Sequence, residues 1–544
     1  MKFFFQYFEW AYPVICAENR EFFVGNFEDF KDGGLKTVFV GRKRILVCKV
    51  NGQLYAVGNK CPHQGAALEG GFLNGTRLVC PLHGAEFELG TGKLVNPPGY
   101  CDLKTYEVVE NEGRVFVRVD KIEHNKIEIL GNDLRRFVII GSGAAGMMAA
   151  ETLRKEGFRG KIFLISDENI LPYDRVLLSK SLFLDKSNIS LFTLDHFKNK
   201  DYILKLDTRV KEIHQDKIVL DNGEILEYDK LLVSTGASAK VPMELSKYLN
   251  VPNFLTMRNF KDYERIQHSI ESSNRICIVG NRFLGLELAA TIKKTYPDIE
   301  ICFIEYEKEA LAKVVGPYLY THIFDSLSSN NVNIIKGEKI EDLEINNGKI
   351  SAVLFNNHKV LTDLVIVSTG STLKTAHIPE VLKNQDGSVK VNEFLSTEWE
   401  NVFAAGDIAE FPDQMTGSRQ RIEHWVVAQQ QGSCAGLNML NKNKRFDAVP
   451  YFWSQQFDYI EMAGYCFGAD NVVNEEISDV GKISYFFKGE KCIGVAAVNL
   501  PMVVLKLKIA LGKGTLPTFS TFLAKNLKTE DILQELGFYN CPNQ

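Results

Sequence analysis

One local pattern occurs twice in this chain, and that repetition limits the architecture more than any other feature. The first copy runs from an apolar strand, FVII, into GSGAAG at Gly141 to Gly146, a helical run MMAAETLRKEG and a second strand, KIFLIS. The second opens at Arg275 with RICIVG, turns through GNRFLG at Gly280 to Gly285, and continues as LELAATIKK and EICFIE, ending at Glu305. In such a unit the first glycine makes the turn, the second lets a pyrophosphate approach the backbone, and the third lets helix and strand pack closely. The helix N-terminus then faces the phosphates. A merely structural glycine turn is the competing reading of each loop, and the strand before and helix after weigh against it. Gly141, Gly143, Ala144 and Gly146, with Asp167 and Glu168 about twenty residues beyond, form one candidate set. Gly280, Arg282, Gly285, Glu287 and Glu305 form the other.

A second echo supports duplication. KLLVSTG ends at Gly236 and DLVIVSTG at Gly370, each about one domain downstream of its own glycine loop. NVFAAGD then delivers Gly406 and Asp407 to a loop. Strand and helix alternate throughout this region, which predicts doubly wound parallel sheets.

Ahead of these units, Cys61 and His63 are followed, seventeen residues after the histidine, by Cys80 and then His83, in CPHQGA and CPLHGAEF. A Rieske [2Fe-2S] cluster needs two thiolates on one iron and two imidazoles on the other, so two loops must each deliver one Cys and one His. Gly65, Gly84, Pro62 and Pro81 suit sharp loops whose N–H groups turn toward the cluster sulfides. A structural zinc site is the alternative, although Cys-x-His is tighter than the usual spacing of paired zinc ligands. The surrounding TVFVGRKRILVCKV, QLYAVGN and RVFVRV read as short alternating strands of a small antiparallel domain.

The 544 residues suffice for three or four cores, and 45% hydrophobic with 24% charged residues is ordinary for a multidomain globular protein. A net charge of -5 gives no general reason to bind nucleic acid or acidic membranes. The apolar CIGVAAVNLPMVVLKLKIAL is interrupted by Asn499, Pro501, Lys506 and Lys508, so no spanning helix is expected. Eleven cysteines form no dense framework, and a Rieske pair must stay as thiolates; a reducing, intracellular compartment is expected, cytoplasmic or mitochondrial. The aromatic stretch over residues 1–20 lacks both a cleavage site and the Arg-rich pattern of a presequence, and reads as a docking extension. Cys277, Cys302, Cys434, Cys466, Cys492 and Cys541 are isolated along the sequence, so no dithiol relay is expected. No closely spaced His pair outside the cluster loops suggests the mononuclear iron of an oxygenase.

With these landmarks assembled, residues from about Glu21 to Asp120 resemble a Rieske domain of the ferredoxin type. Respiratory-complex members carry an extra cysteine in each loop, where this chain has Ala66 and Leu82. Residues 135–544 resemble flavoprotein reductases of the two-dinucleotide-domain class, especially oxygenase-coupled ferredoxin reductases and apoptosis-inducing factors, and the whole resembles the Rieske-bearing subgroup of the latter. The resemblance implies a multidomain fold: an all-β Rieske domain, an α/β reductase with two dinucleotide-binding domains, and a C-terminal α+β domain. The divisions expected are an extension at 1–20, the Rieske domain at 21–120, a linker at 121–134, an FAD domain at 135–252 and 376–445, an NAD domain at 253–375, and a flavin-covering C-terminal domain at 446–544. It implies FAD at GSGAAG, NAD at GNRFLGLE, and Asp407 on the ribityl chain. In LPYDRVLLSK it places Arg175 and Lys180 at the flavin, although the family's usual prolines are here Val176 and Leu177. IEHWVVAQQQG and PYFWSQQF match segments lining the isoalloxazine, making His424, Trp425 and Trp453 flavin-pocket candidates, with core packing as the alternative for each.

The chemistry then expected is that of an NADH-dependent flavoprotein reductase passing electrons through FAD and the Rieske centre to a one-electron acceptor, with Lys180, His424 and Trp425 as candidate catalytic residues. Tethering the cluster to the reductase raises its effective concentration near the flavin. The alternative is a redox-controlled interaction protein of slow turnover, in which nicotinamide binding changes conformation or dimerisation through the C-terminal domain. Glu305 favours NADH over NADPH by accepting ribose hydroxyls and repelling a 2'-phosphate. Arg282, at the second-glycine position, is expected to weaken nicotinamide binding unless its guanidinium swings outward or contacts the phosphates.

Overall fold

The computed structural model describes residues 21–119, 133–280, 282–479 and 481–538. The expected extension and all but the last two residues of the expected linker lie outside them, as does Cys541. Two compact units divide the chain, Met1–Asn125 and Lys126–Gln544.

The N-terminal unit is built from antiparallel strands. Six form one sheet in the order Glu21–Asn26, Arg114–Arg118, Thr105–Asn111, Gln53–Gly58, Lys43–Val50, Leu35–Val40. Four short ones, Phe72–Asn74, Arg77–Val79, Glu86–Glu88 and Leu94–Asn96, form another. The strand Lys43–Val50 departs from the expected alternation, being buried at four successive positions. It divides two cores: Leu46 and Cys48 pack with Leu78, Phe87 and the two cluster-loop cysteines, whereas Ile45 and Val47 pack with Phe30, Val115 and Val117. A strand covered on both faces reads as a continuous apolar run, which is what ILVC is.

In the second unit the two echoes become two five-stranded parallel sheets. The first has the order Tyr202–Lys205, Lys161–Ile165, Arg136–Ile140, Lys230–Val233, Val402–Ala404. The second has the order Phe254–Thr256, Leu364–Ser368, Arg275–Gly280, Glu300–Glu305, Val332–Lys336. The STG ends of the echoes meet where the sheets join. Ala237–Ala239 pairs antiparallel with Ser371–Leu373, Thr235 Oγ1 donates to the Lys374 carbonyl at 2.7 Å, and Thr369 Oγ1 reciprocates on Lys240 at 2.8 Å. Gly236 and Gly370 flank this crossing with left-handed backbone, φ +66 and +116.

The helix Trp425–Met439 returns to lie on Ala144–Lys155, and glycine makes the approach possible: a Cβ on Gly432 would collide with the carbonyl of Ala145. After it comes an antiparallel sheet, Tyr451–Gln455, Tyr459–Gly464, Lys491–Val498, Lys482–Lys488, Asn471–Glu476, with the helix Pro501–Lys513 packed on it. Among the described residues no helix is long and apolar enough to cross a membrane.

The register also brings together two cysteines that sequence spacing keeps apart. Cys277 and Cys302, apart in sequence, are direct partners on adjacent parallel strands, because a ladder joins residues by level and not by sequence spacing.

Candidate functional site

In the N-terminal unit the two Cys-x-His segments fold into matching loops. Cys61 N–H donates to Ala66 and Gly65 N–H to Cys61, both at 2.8 Å; Cys80 N–H donates to Ala85 at 2.8 Å and Gly84 N–H to Cys80 at 3.1 Å. Gly65 and Gly84 both take left-handed φ, +78 and +69, so the turn itself requires glycine at each. The loops bring all four expected ligands together. The Cys61 and Cys80 thiols are in hydrogen-bond contact, and His63 Nδ1 lies 3.2 Å from His83 Nδ1. The contact with Cys61 holds the Cys80 thiol down at about 7 despite burial, and pushes Cys61 up. Backbone N–H groups assist in the same way in each loop, those of His63 and Gln64 toward Cys61 and those of Leu82 and His83 toward Cys80. Burial holds His63 at about 4 and therefore neutral, the form a metal requires. Among the described residues no three His, Cys, Asp or Glu side chains converge as a single ion would need. A sulfur pair beside a nitrogen pair suits two irons, one for each pair.

In the second unit the first glycine loop opens a pocket lined by Ser142, Gly143, Ser166, Glu168, Ile170, Pro172, Tyr173 and Arg175. A Cβ on Gly141 would meet the Ser234 carbonyl and one on Gly146 the Gly141 carbonyl, whereas one on Gly143 would meet nothing within 4 Å. Gly143 therefore borders the room a diphosphate needs. Ala144 begins a helix with no side-chain cap, which leaves N–H donors for such a ligand. Glu168 accepts from Tyr173 at 2.8 Å and from Arg175. Asp167 is turned away to Lys374 at 3.0 Å.

Deeper in this unit Lys180 forms a buried ion pair with Glu287, which also accepts from Ser179 Oγ, from Ser454 Oγ at 2.7 Å and from Gln455 N–H at 3.3 Å. This cluster joins three parts of the chain: Lys180 from the expected loop, Glu287 from the second helix, and Ser454 beside Trp453. His424 packs against Phe452 and Trp453, ring centroids 5.6 and 5.9 Å away. Its Nδ1 is buried without a partner among the described residues, and burial together with the Lys180 charge lowers its pKa to about 3. Trp425 begins the following helix, half-buried, and no ring contact joins it to that set among the described residues. Gly406 N–H is held by Gln431 Oε1 at 2.7 Å, and Asp407 pairs with Arg258. The orphaned Nδ1 of His424 and Nε2 of Gln431, with the open side of Gly143, fit a flavin nucleotide.

The second glycine loop is built on the same plan. Gly280 and Gly285 sit so close to Ser368 Oγ that a Cβ would lie 2.7 and 2.5 Å from it. Arg282 is exposed and caps the helix Phe283–Thr295 through its backbone, φ -148 and ψ -171, with no side-chain cap bond. Glu305 is 1% exposed; one oxygen accepts from Tyr320 at 2.9 Å and the other has no partner among the described residues. Burial raises its pKa. Tyr173, Arg258, Gln431, Ser454 and Tyr320 were not legible as site residues. Tyr173, Gln431 and Ser454 carried one signal each, their places within LPYDRVLLSK, IEHWVVAQQQG and FWSQQF.

A parallel two-sheet reductase with such a cluster site defines a class, the flavoprotein oxidoreductases that use a pyridine nucleotide. Residues 135–432 match the pyridine nucleotide-disulphide oxidoreductase family, residues 20–107 the Rieske [2Fe-2S] domain, and residues 451–531 the reductase C-terminal domain. The chain belongs to the pyridine nucleotide-disulphide oxidoreductases, in the subgroup that carries a Rieske domain. It is 31% identical to human apoptosis-inducing factor 3 (Homo sapiens) over 528 residues, 92% of this chain and 85% of the relative. It is 29% identical to the ferredoxin--NAD(+) reductase component of the 3-phenylpropionate/cinnamic acid dioxygenase of Photorhabdus laumondii over 368 residues, 67% of this chain and 92% of that one. Among solved structures, the covalent putidaredoxin reductase-putidaredoxin complex matches with a TM-score of 0.69 at 25% identity, covering 74% of this chain and 99% of that one. The protein is an oxidoreductase whose cofactors are FAD, NADH and a Rieske [2Fe-2S] cluster, and its activity is NADH-linked electron transfer.

Proposed function

We propose that the enzyme takes electrons from NADH at the flavin, passes them to its own Rieske centre, and delivers them singly to a protein acceptor. Bound FAD supplies the exchange between the two-electron chemistry of a nicotinamide and the one-electron chemistry of an iron–sulfur centre. The observation that carries the reading is the convergence of Cys61, Cys80, His63 and His83 in the same chain as a reductase. Its similarity to a ferredoxin--NAD(+) reductase component and to putidaredoxin reductase, each of which serves a separate redox partner, supports it.

Under this reading Cys61 and Cys80 hold one iron and His63 and His83 the other, with the loop N–H groups directed at the sulfurs. Glu287 fixes Lys180 in place beside the flavin. His424, neutral and buried, excludes water with Trp453 and offers Nδ1 to the ring. Arg258 sets the carboxylate of Asp407 for the ribityl chain. The unpartnered Glu305 oxygen takes an adenosine ribose hydroxyl, which favours NADH over NADPH. A reducing intracellular compartment belongs to the same reading, because the two ligand cysteines act as thiolates.

His83→Ala tests the order of flow. NADH should still bleach the flavin of the variant, while reduction of a one-electron protein acceptor such as cytochrome c collapses. Unchanged acceptor reduction in stopped flow would mean that electrons leave from FAD directly. Slow flavin reduction with a change in oligomeric mass would favour the interaction protein.

A further inference from the structure

Cys277 and Cys302 face each other across the second parallel sheet as ladder partners. Adjacent strands lie about 4.8 Å apart, inside the range of about 4.4–6.8 Å over which Cα atoms are bridged by a disulfide. Both side chains point to the same side of the sheet, into a core with Val279, Ile304, Val353 and Val365. Their thiols are hydrogen-bonded, and Asn333 Nδ2 lies 3.9 Å from the Cys302 sulfur. Donation by Cys302 favours the thiolate on Cys277 and keeps Cys302 a thiol, which separates an attacking sulfur from a resolving one. Exposure is 1% at Cys277 and 6% at Cys302, so an oxidant reaches the pair only when the sheet opens locally, and a small peroxide needs the least opening. Three residues beyond each cysteine, the same strands end at Gly280 and Glu305, again ladder partners, where the nicotinamide nucleotide is assigned.

We propose that Cys277 and Cys302 form an oxidation site, converted by a peroxide into a cross-strand disulfide that weakens nicotinamide nucleotide binding. The Cys277 thiolate attacks one peroxide oxygen, the O–O bond breaks, and a sulfenic acid and water result. The Cys302 sulfur then attacks the Cys277 sulfur and expels the hydroxyl as a second water. Two thiols have lost two electrons and two protons, and the peroxide has been reduced to two waters. The new bond locks the spacing of the two strands three residues below Gly280 and Glu305, and any departure from the ladder spacing is passed to the level at which the nucleotide is held.

The test treats the full-length holoprotein with hydrogen peroxide, blocks free thiols, and maps peptides without reduction. A linked peptide pair containing Cys277 and Cys302, lighter by two hydrogens, is expected, and dithiothreitol should release it. In parallel, NAD+ titration should show the dissociation constant raised at least roughly fivefold by oxidation and restored by reduction, the scale of ordinary coupling between sites. Cys302→Ser should abolish both effects. The proposal fails if Cys277 and Cys302 stay unlinked while Cys101, the one exposed cysteine among the described residues, is oxidised, or if the link forms with NAD+ binding unchanged. The binding effect rests on the assignment of Gly280 and Glu305 and the linkage does not, so the peptide map and the titration fail separately.

Discussion

Gly143 and Arg282 stand at equivalent points, each the residue before a sheet-covering helix, and both have extended or near-extended backbone outside the left-handed region. Neither position needs glycine for its conformation. What differs is what the residue presents to a ligand. Gly143 borders open room beside Glu168, Tyr173 and Arg175, whereas the same position of the second loop carries the long, exposed cation of Arg282. The structural glycines are crowded in both halves: a Cβ would lie 1.9 Å from the Gly141 carbonyl at Gly146 and 2.5 Å from Ser368 Oγ at Gly285. Folding therefore imposes one rule on the two halves, and the proposed function another: under it the first half keeps its nucleotide and the second exchanges one.

Exchanging the distinguishing residue should have the largest effect. Gly143→Arg meets no protein atom at Cβ, so the chain should fold, yet the guanidinium takes the diphosphate's place; the purified variant should contain essentially no flavin by absorbance. Full retention of flavin would erase the distinction between the halves. Next comes the link between them. Glu287→Ala strands the Lys180 ammonium in a buried site, and loss of about 3–5 kcal/mol is expected in urea unfolding. A loss confined to the second half would show that the halves are energetically separate.

His424 tests whether the first site is as closed as its packing implies. Its folded pKa, about 3, lies below an unfolded value near 6.5, so the unfolded chain binds the extra proton between these limits. Stability should fall as pH drops below about 6.5, by up to about 1.4 kcal/mol per pH unit. His424→Phe should remove that part of the slope, and an unchanged profile would mean that the ring is hydrated. The smallest effect is expected in the second loop: Arg282→Gly should lower the NADH dissociation constant roughly tenfold at most, because charge assistance offsets part of the lost approach. A rise would make the arginine a ligand.

The parts legible in the sequence are those determined by neighbours along the chain. Strand, glycine loop and helix follow one another directly, and each Cys-x-His loop closes on itself between Cys61 and Ala66 or Cys80 and Ala85. The parts that were not legible depend on register and long-range return. Cys277 meets Cys302 only because two parallel strands align at that level. Glu287 collects Ser179 and Ser454 from 108 and 167 positions away, and Arg258 reaches Asp407 from 149. Tyr320 comes from a helix whose apolar face gives no sign that its hydroxyl will hold Glu305.

The strand Val402–Ala404 completes the first sheet by pairing with Lys230–Val233, and the whole second sheet is encoded between them. At ordinary elongation rates that interval occupies the ribosome for on the order of ten to thirty seconds. During this time the second sheet emerges with all five of its strands and can close, while the first, though encoded earlier, waits with one edge unpaired. Gly432 must also arrive before the helix Ala144–Lys155 gains its partner. The order of maturation thus reverses the order of the gene: the second sheet can be finished first, and the first is completed only after the whole of the second has been made.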